Sequence, residues 1–244
     1  TDIDLTASVR LFDADEENLT GTYTDFATAF SDAVSGQVIV LADGVTHDLN
    51  GQNFSFNKDI TILGSGSNNA GLLTNGTATL DAAGITIEGI RVEVGDSASA
   101  LTISADNGTI RDVSFVGDGT PTSATAIAVD DAAHNFTIAS SDFSGVTTAI
   151  ELPTDYAATG TILGNTIANS ATGVAVNGLT DAANLTIDAN TLVGNTTAID
   201  LDGTYTADAD ISIESNRFEV GNGASGINAT SATLITGGTF ATGL

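Results

Sequence analysis

The stretch "TILGNTIANSATGVAVNG" (161–178) is too poor in charge for a surface loop and too rich in Gly, Asn and Thr for a helix. It recurs as "LTIDANTLVGNTTAIDLDG" (185–203), "FTIASSDFSGVTTAIELP" (136–153) and "ISIESNRFEVGNGASGINA" (211–229), with a weaker copy at "ITIEGIRVEVGDSASALTI" (85–103). Aligning the copies gives landmark apolar residues Ile62, Ile87, Ile110, Ile138, Ile162, Ile187, Ile213 and Ile235, spaced by 25, 23, 28, 24, 25, 26 and 22 residues. A period near 25 with loop-sized variation is the mark of a solenoid. The leucine-dense consensus of leucine-rich repeats is absent. Instead, each unit carries three short stretches of alternating polarity, such as Ile85 and Ile87 facing inward with Thr86 and Glu88 outward. Parallel pairing of each coil with the next then stacks equivalent side chains into columns.

Those columns can be read off. One residue before the landmarks stand Thr61, Thr86, Thr109, Thr137, Thr161, Thr186 and Ser212, an outward file of hydroxyls. Five residues after them stand Val92, Phe115, Phe143, Ile167, Leu192, Phe218 and Phe240, an inward apolar file. Three residues after them stand Asn165, Asn190 and Asn216 in successive coils, where stacked amides can hydrogen-bond along the axis.

With these columns and with the opening "YTDFATAFSDAVSGQVIVLADGVTHDL" followed by "NKDITILGSG", the chain resembles right-handed parallel β-helices of the pectin lyase-like group. The fold expected is all-β: a right-handed parallel β-helix of about nine coils of 22–28 residues with a short N-terminal capping helix. Residues 1–21 read as an extension or linker, or a strand added to a neighbour; 22–37 as the capping helix; and 38–244 as the β-helix. In the helix, Phe26, Ala29, Phe30, Ala33 and Val34 fall at helical spacing, with Thr24 as N-cap and Gly36 as its end. The start on Thr1 without Met leads to the expectation of a processed or excised product. The ending "LITGGTFATGL" lacks a polar cap, so more chain, another domain or another subunit is expected to continue from it.

Charge narrows the partners. Five Lys plus Arg stand against 31 Asp plus Glu, a formal net charge of -26, which excludes the counterion-releasing contacts of nucleic-acid binding. No apolar run is long enough to cross a membrane as a helix. With 41% hydrophobic residues the chain reads as folded, and its acidity suits a salty or calcium-rich exterior. The balance of Thr, Ala, Gly, Asp and Asn with almost no Lys also resembles secreted surface-layer and giant adhesin proteins.

Lyases and hydrolases of the pectin lyase-like group resemble one another in acidic calcium ligands beside a basic residue, or in paired Asp residues with Gly-His-Gly and Arg-x-Lys. The nearest counterpart is Asp130, Asp131 and His134 in "AVDDAAHNF"; neither Gly-His-Gly nor Arg-x-Lys occurs. The competing reading of that triplet is a solvated turn between coils, and it is the one preferred. His47, the other His, reads as an exposed loop residue. Asp13, Asp15, Glu16, Glu17 and Asn18 offer clustered oxygen ligands to Ca²⁺, against the plainer reading of an acidic linker; "DGTYTADAD" (202–210) is a weaker candidate. Eight Asn-x-Ser/Thr sequences, at Asn18, Asn53, Asn75, Asn107, Asn135, Asn184, Asn195 and Asn228, are glycosylation acceptors if the source organism glycosylates.

The sequence therefore leads to the expectation of a non-catalytic, secreted structural or adhesive module of a cell-surface protein: an adhesin, surface-layer or filament subunit. Self-association or adjoining domains are the expected partners, with calcium as a candidate ion and glycan as a further candidate ligand. The alternative is a polysaccharide-binding or polysaccharide-degrading β-helix, including a phage tailspike-like glycan binder. An ice-binding rod is a third reading of the Thr file, set aside because the neighbouring outward file is Leu63, Glu88, Arg111, Ala139, Leu163, Asp188 and Glu214.

Overall fold

Short β-branched stretches separated by tight turns build a parallel β-solenoid. The structure, a computed structural model, describes residues 7–49, 53–66, 70–74, 76–95, 99–117, 124–180, 183–219, 225–229, 233–234 and 239–243. Three parallel sheets run its length. The first contains Val38–Leu41, Thr61–Gly64, Thr86–Glu88, Thr109–Arg111, Phe136–Ala139, Thr159–Leu163, Asn184–Asp188, Asp210–Glu214 and Thr239–Gly243 in that spatial order. The second and third sheets hold eight strands each, which is seven coil-to-coil steps; the stack makes about seven turns where the repeat spacing suggests nine. At ~4.8 Å per step this is a rod of roughly 35 Å.

The register follows the repeat. Thr61, Thr86, Thr109, Thr137, Thr161, Thr186 and Ser212 pair in succession, with the buried file Ile62 to Ile213 beside them. In the second sheet Val92, Phe115, Phe143, Ile167, Leu192 and Phe218 pair in succession. Exact translation from coil to coil lays the Phe115 and Phe143 rings flat on each other, centroids 4.7 Å apart at 2°. Each fully buried Ile or Leu in these files contributes about 1.5–3 kcal/mol. The last landmark differs from expectation. Thr242, not Ile235, pairs with Ile213, and Phe240 pairs with Ile211 in the first sheet instead of extending the Phe218 file. Ile235 lies outside the described residues.

The N-terminal end is closed by three elements. β1 (Val9–Phe12) pairs antiparallel with β2 (Leu19–Tyr23) and with β3 (Val38–Leu41), so the segment read as 1–21 holds one strand of the first sheet and the start of a second, which crosses the expected boundary. These strands cover the edge of β3 that would otherwise present unpaired backbone groups. α1 (Phe26–Asp32) is shorter than 22–37, and its N-cap is Asp25, whose carboxylate accepts from the Thr28 N–H at 2.8 Å. The helix ends at Ala33, where the backbone turns extended before Gly36 is reached, and Val34 is 62% exposed. Phe26 and Phe30 pack against Phe54 and Phe56 in tilted and edge-on contacts with centroids 5.2–5.9 Å apart, plugging the apolar interior. Lys58, the only lysine of the chain, donates to the carbonyls of Phe30, Ser31 and Ala33 at 2.7–2.8 Å, satisfying the open C-terminal end of α1.

Candidate functional site

Two of the three corners of the coil are built alike. From the coil that begins at Thr86 onward, the chain turns between first and second sheets through one residue in the left-handed region: Gly89, Asp112, Ser140, Gly164, Ala189 and Ser215, with φ between 50° and 66°. The next residue in each case points inward: Ile90, Val113, Ser141, Asn165, Asn190 and Asn216. In the later coils this inward file is polar and fully wired. The Asn190 Oδ1 accepts from the Asn165 N–H at 2.9 Å and the Asn165 Nδ2 at 3.0 Å. The Asn190 Nδ2 in turn donates to Ile162 O and to Asn216 Oδ1, both at 2.9 Å. Ser141 ends the ladder, its N–H donating to Asn165 Oδ1 and its Oγ accepting from the Val113 N–H. Asn165, Asn190 and Asn216 are thus brought together as one chain of amides, and Asn165 and Asn190 are each 1% exposed.

The second corner repeats the device through Gly145, Asn169 and Gly194, again left-handed, followed by buried Val146, Ser170 and Asn195. Here the Asn195 Oδ1 accepts from the Ser170 N–H and its Nδ2 donates to Ile167 O, both at 2.9 Å. This second ladder escapes sequence inspection because Val146 interrupts it. Its signal is the left-handed Gly or Asn that precedes each member. The third corner is looser and is filled by Tyr156, Leu179 and Tyr205, which bridge one another in register. Burial raises the pKa of both tyrosines, whose hydroxyls donate to Ala133 O and Val176 O.

The Asp130, Asp131 and His134 set does not converge. The Asp130 carboxylate accepts from Ser104 Oγ at 3.2 Å and from the Asp131 N–H at 2.8 Å, which makes it a turn-closing group. The His134 Nδ1 instead lies 2.8 Å from Asp106 Oδ1, one coil earlier, and the His134 N–H donates to the same oxygen at 3.0 Å. These two bonds, the ring first, hold the Asp106 carboxyl below its ordinary range. Asp106 is visible as a partner only once coil register is known. Both side chains of the pair are half-exposed, so it is a solvated surface contact.

His47 is not a loop residue. The triplet Thr46–Asp48 is a strand of the second sheet, and its alternation turns His47 inward opposite Leu72, where it is 7% exposed. Its Nε2 has no hydrogen-bond partner, and burial, partly opposed by the Ser8 backbone and the Asp25 charge, lowers its pKa.

In the acidic loop between β1 and β2, Asp13 is used internally. Its carboxylate accepts from the N–H groups of Glu17 and Asn18 at 3.0 and 3.2 Å and from Asn18 Nδ2 at 2.5 Å, and the Asn18 amide chiefly lowers its pKa. Asp15, Glu16 and Glu17 remain exposed around it. Among the described residues no three His, Asp or Glu side chains gather closely enough to hold a metal ion.

What the outer surface does offer is regular hydrogen-bonding capacity. A shallow groove of about 400 Å³ on the first sheet is lined by Asn135, Thr137, Thr159, Thr161, Asn184 and Thr186, with the Phe136 ring buried beneath it. The third sheet carries a second hydroxyl file of Thr148, Thr172, Thr197 and Ser225, headed by a buried Thr125 whose hydroxyl donates to the Glu151 carboxylate at 3.1 Å. Arginines on the first and second sheets sit against glutamates, Arg111 on Glu88 and Arg91 on Glu93. Such files offer many weak donors and acceptors, repeated from coil to coil. Comparison with known protein families, curated proteins and solved structures finds no match to this chain.

Proposed function

We propose that the chain is a non-catalytic, extracellular structural or adhesive module of a secreted cell-surface protein, of the adhesin, surface-layer or filament kind. The observation that carries this reading is a continuous apolar core through the described coils, reinforced in the later ones by the ladder of Ser141, Asn165, Asn190 and Asn216 at one corner and the bond between Ser170 and Asn195 at another. A stack so built is a stiff spacer, and its outer files repeat every coil. Any contact that one coil makes with a copy of the chain, or with an adjoining domain, can be made again by its neighbour, and weak contacts then add. The net charge of -26 favours the reading in a salty or calcium-rich exterior, where cations screen or bridge like-charged surfaces. The likeness to the pectin lyase-like group enters at the level of coil architecture only.

Light scattering and negative-stain microscopy with about 5 mM Ca²⁺, enough to fill weak extracellular sites, and with chelator test it. Filaments, sheets or rods of several units are the expected result. A monomer in both conditions at high concentration removes self-association from the proposal.

The groove lined by Asn135, Thr137, Thr159, Thr161, Asn184 and Thr186 favours a second reading, polysaccharide binding by side-chain amides and hydroxyls. Binding on a glycan array that is lost on Thr161→Val, with no depolymerisation of uronic polysaccharides, would select it over the structural role.

A further inference from the structure

The Asn-x-Ser/Thr sequences are not equivalent in the fold. N-glycosylation uses the Asn side-chain nitrogen, so an acceptor must be exposed with its Nδ2 uncommitted. The Asn18 Nδ2 donates to Asp13 Oδ2 at 2.5 Å and the Asn228 Nδ2 to Asp200 Oδ1 at 2.7 Å. Asn195 is 2% exposed, with its Nδ2 spent on Ile167 O. Asn75 lies outside the described residues. Asn53, Asn107, Asn135 and Asn184 are exposed, and none has its Nδ2 in a hydrogen bond among the described residues.

Three of these four occupy one file. Asn107, Asn135, Thr159, Asn184 and Asp210 stack in successive coils at the start of the first sheet, as the pairing of the strands that follow requires. Asn107 and Asn135 have φ of 59° and 57° and stand two residues and one residue before a strand, both exposed. The hydroxyl that completes each acceptor sequence belongs to Thr109, Thr137 and Thr186, members of the outward Thr file. The Asn135 Oδ1 accepts from Thr159 Oγ1, which fixes the amide and turns the Nδ2 away from that contact.

We propose that Asn107, Asn135 and Asn184 are N-glycosylation sites that set a line of glycans along one edge of the solenoid. The donor is a lipid pyrophosphate-linked oligosaccharide, brought by an oligosaccharyltransferase of the exporting membrane. The Asn Nδ2 forms a bond to the sugar C1 as the bond from C1 to the phosphate oxygen breaks. The lipid pyrophosphate leaves with that electron pair, the Nδ2 loses one proton, and no group is oxidised or reduced. Asn107 and Asn135 are on adjacent coils, ~4.8 Å apart along the axis, whereas Asn184 stands two coils further on, so a bulky glycan on one of the first pair hinders the other. The inference requires export but not self-association.

The test treats the folded chain in vitro with a single-subunit oligosaccharyltransferase and a lipid pyrophosphate-linked oligosaccharide, its activity first established on an acceptor peptide. Intact-mass and peptide mass spectrometry, with and without peptide N-glycosidase, read the occupancy. Glycans at Asn184 and at one or both of Asn107 and Asn135 are expected, with Asn195 at least about tenfold slower because it must wait for local opening. In urea-unfolded chain that gap should close. The triple variant N107Q/N135Q/N184Q, all at exposed positions, should keep the circular dichroism of the parent and lose those mass increments. A folded chain unmodified at all three positions, or modified at Asn195 as fast as at Asn184, would overturn the proposal. Retention of self-association after modification would separate this inference from the structural reading.

Discussion

Replacing Asn190 by Ala tests whether the amide ladder holds the coils together. The side chain is 1% exposed and takes part in hydrogen bonds with the Asn165 N–H, Asn165 Nδ2, Ile162 O and Asn216 Oδ1. Three of these partners have other bonds: Asn165 Nδ2 still reaches Ile138 O, and Asn216 Oδ1 still accepts from the Asn190 N–H. The Ile162 carbonyl keeps the ladder bond that the pairing of Leu163 with Asp188 gives it, whereas the Asn165 N–H is left buried without a partner. At about 1–3 kcal/mol for one stranded group, Asn190→Ala should cost roughly 1–3 kcal/mol. Asn190→Ser is the graded control, because Ser141 shows what a hydroxyl does here: it accepts from the Val113 N–H at 3.2 Å and donates to Ala139 O at 2.9 Å. The Ser variant should lose about half as much. Urea unfolding followed by far-ultraviolet circular dichroism gives both values, and the near-ultraviolet signal of buried Tyr156 and Tyr205 reports the same transition. A loss below about 0.5 kcal/mol for Asn190→Ala, the scatter of ordinary surface changes, would refute the argument that the ladder carries stability.

Three further outcomes are expected. His47 is buried neutral with its pKa below the ordinary 6.5, so the unfolded chain takes up a proton that the folded chain refuses. Its stability should therefore be full above 6.5 and fall as pH drops below it, ahead of any loss from the exposed Asp13, Asp25 and Asp106, whose lowered pKa values act only in the acidic carboxylate range. His47→Leu should flatten that slope and add about 1–2 kcal/mol by removing the unpaired Nε2, as read from urea midpoints across pH. Raising NaCl from about 0.1 to 1 M, which shortens the Debye length from about 10 to 3 Å, should raise the thermal midpoint because repulsion within a chain of net charge -26 outweighs its few ion pairs. A fall in the midpoint would reverse that ranking. Gly64→Ala would bring a Cβ to 1.8 Å from the Gly89 carbonyl oxygen, a backbone atom of the next coil, and should cost several kcal/mol or prevent folding, measured by soluble yield and melting temperature.

The parts of the structure that repeat are the parts that were legible. A period transmits register, so Thr161 finds Thr186, Phe115 finds Phe143, and Asn165 finds Asn190 without any knowledge of three-dimensional contacts. Where a feature occurs once, that argument has no purchase. β1 and β2 pair antiparallel outside the repeat, and nothing in "VRLF" announces that β3 is its partner. His47 sits in a three-residue strand, too short for alternation to reveal which face it takes. The link from His134 to Asp106 spans 28 residues across the loosest corner, where loop length hides the coil step. Thr242 displaced Ile235 as the last landmark because an apolar residue at the expected spacing is a weaker constraint than backbone pairing. Of the candidate site residues, the Asn and Thr files are the ones set by coil geometry. The acidic groups are set by local turns, which the repeat does not govern.

The ladder at the first corner has translational symmetry. Asn190 stands to Asn216 as Asn165 stands to Asn190, each accepting from the coil before and donating to the coil after. Duplication of a gene segment encoding 165–189 would insert one complete rung with its left-handed hinge, its inward amide and its outward threonine already in phase. Deletion of the same segment would splice Asn190 against Ser141 with an acceptor still in place for the Ser141 N–H. The length of the stack is thus a quantity that unequal recombination can change in whole rungs, without redesigning any interface between them.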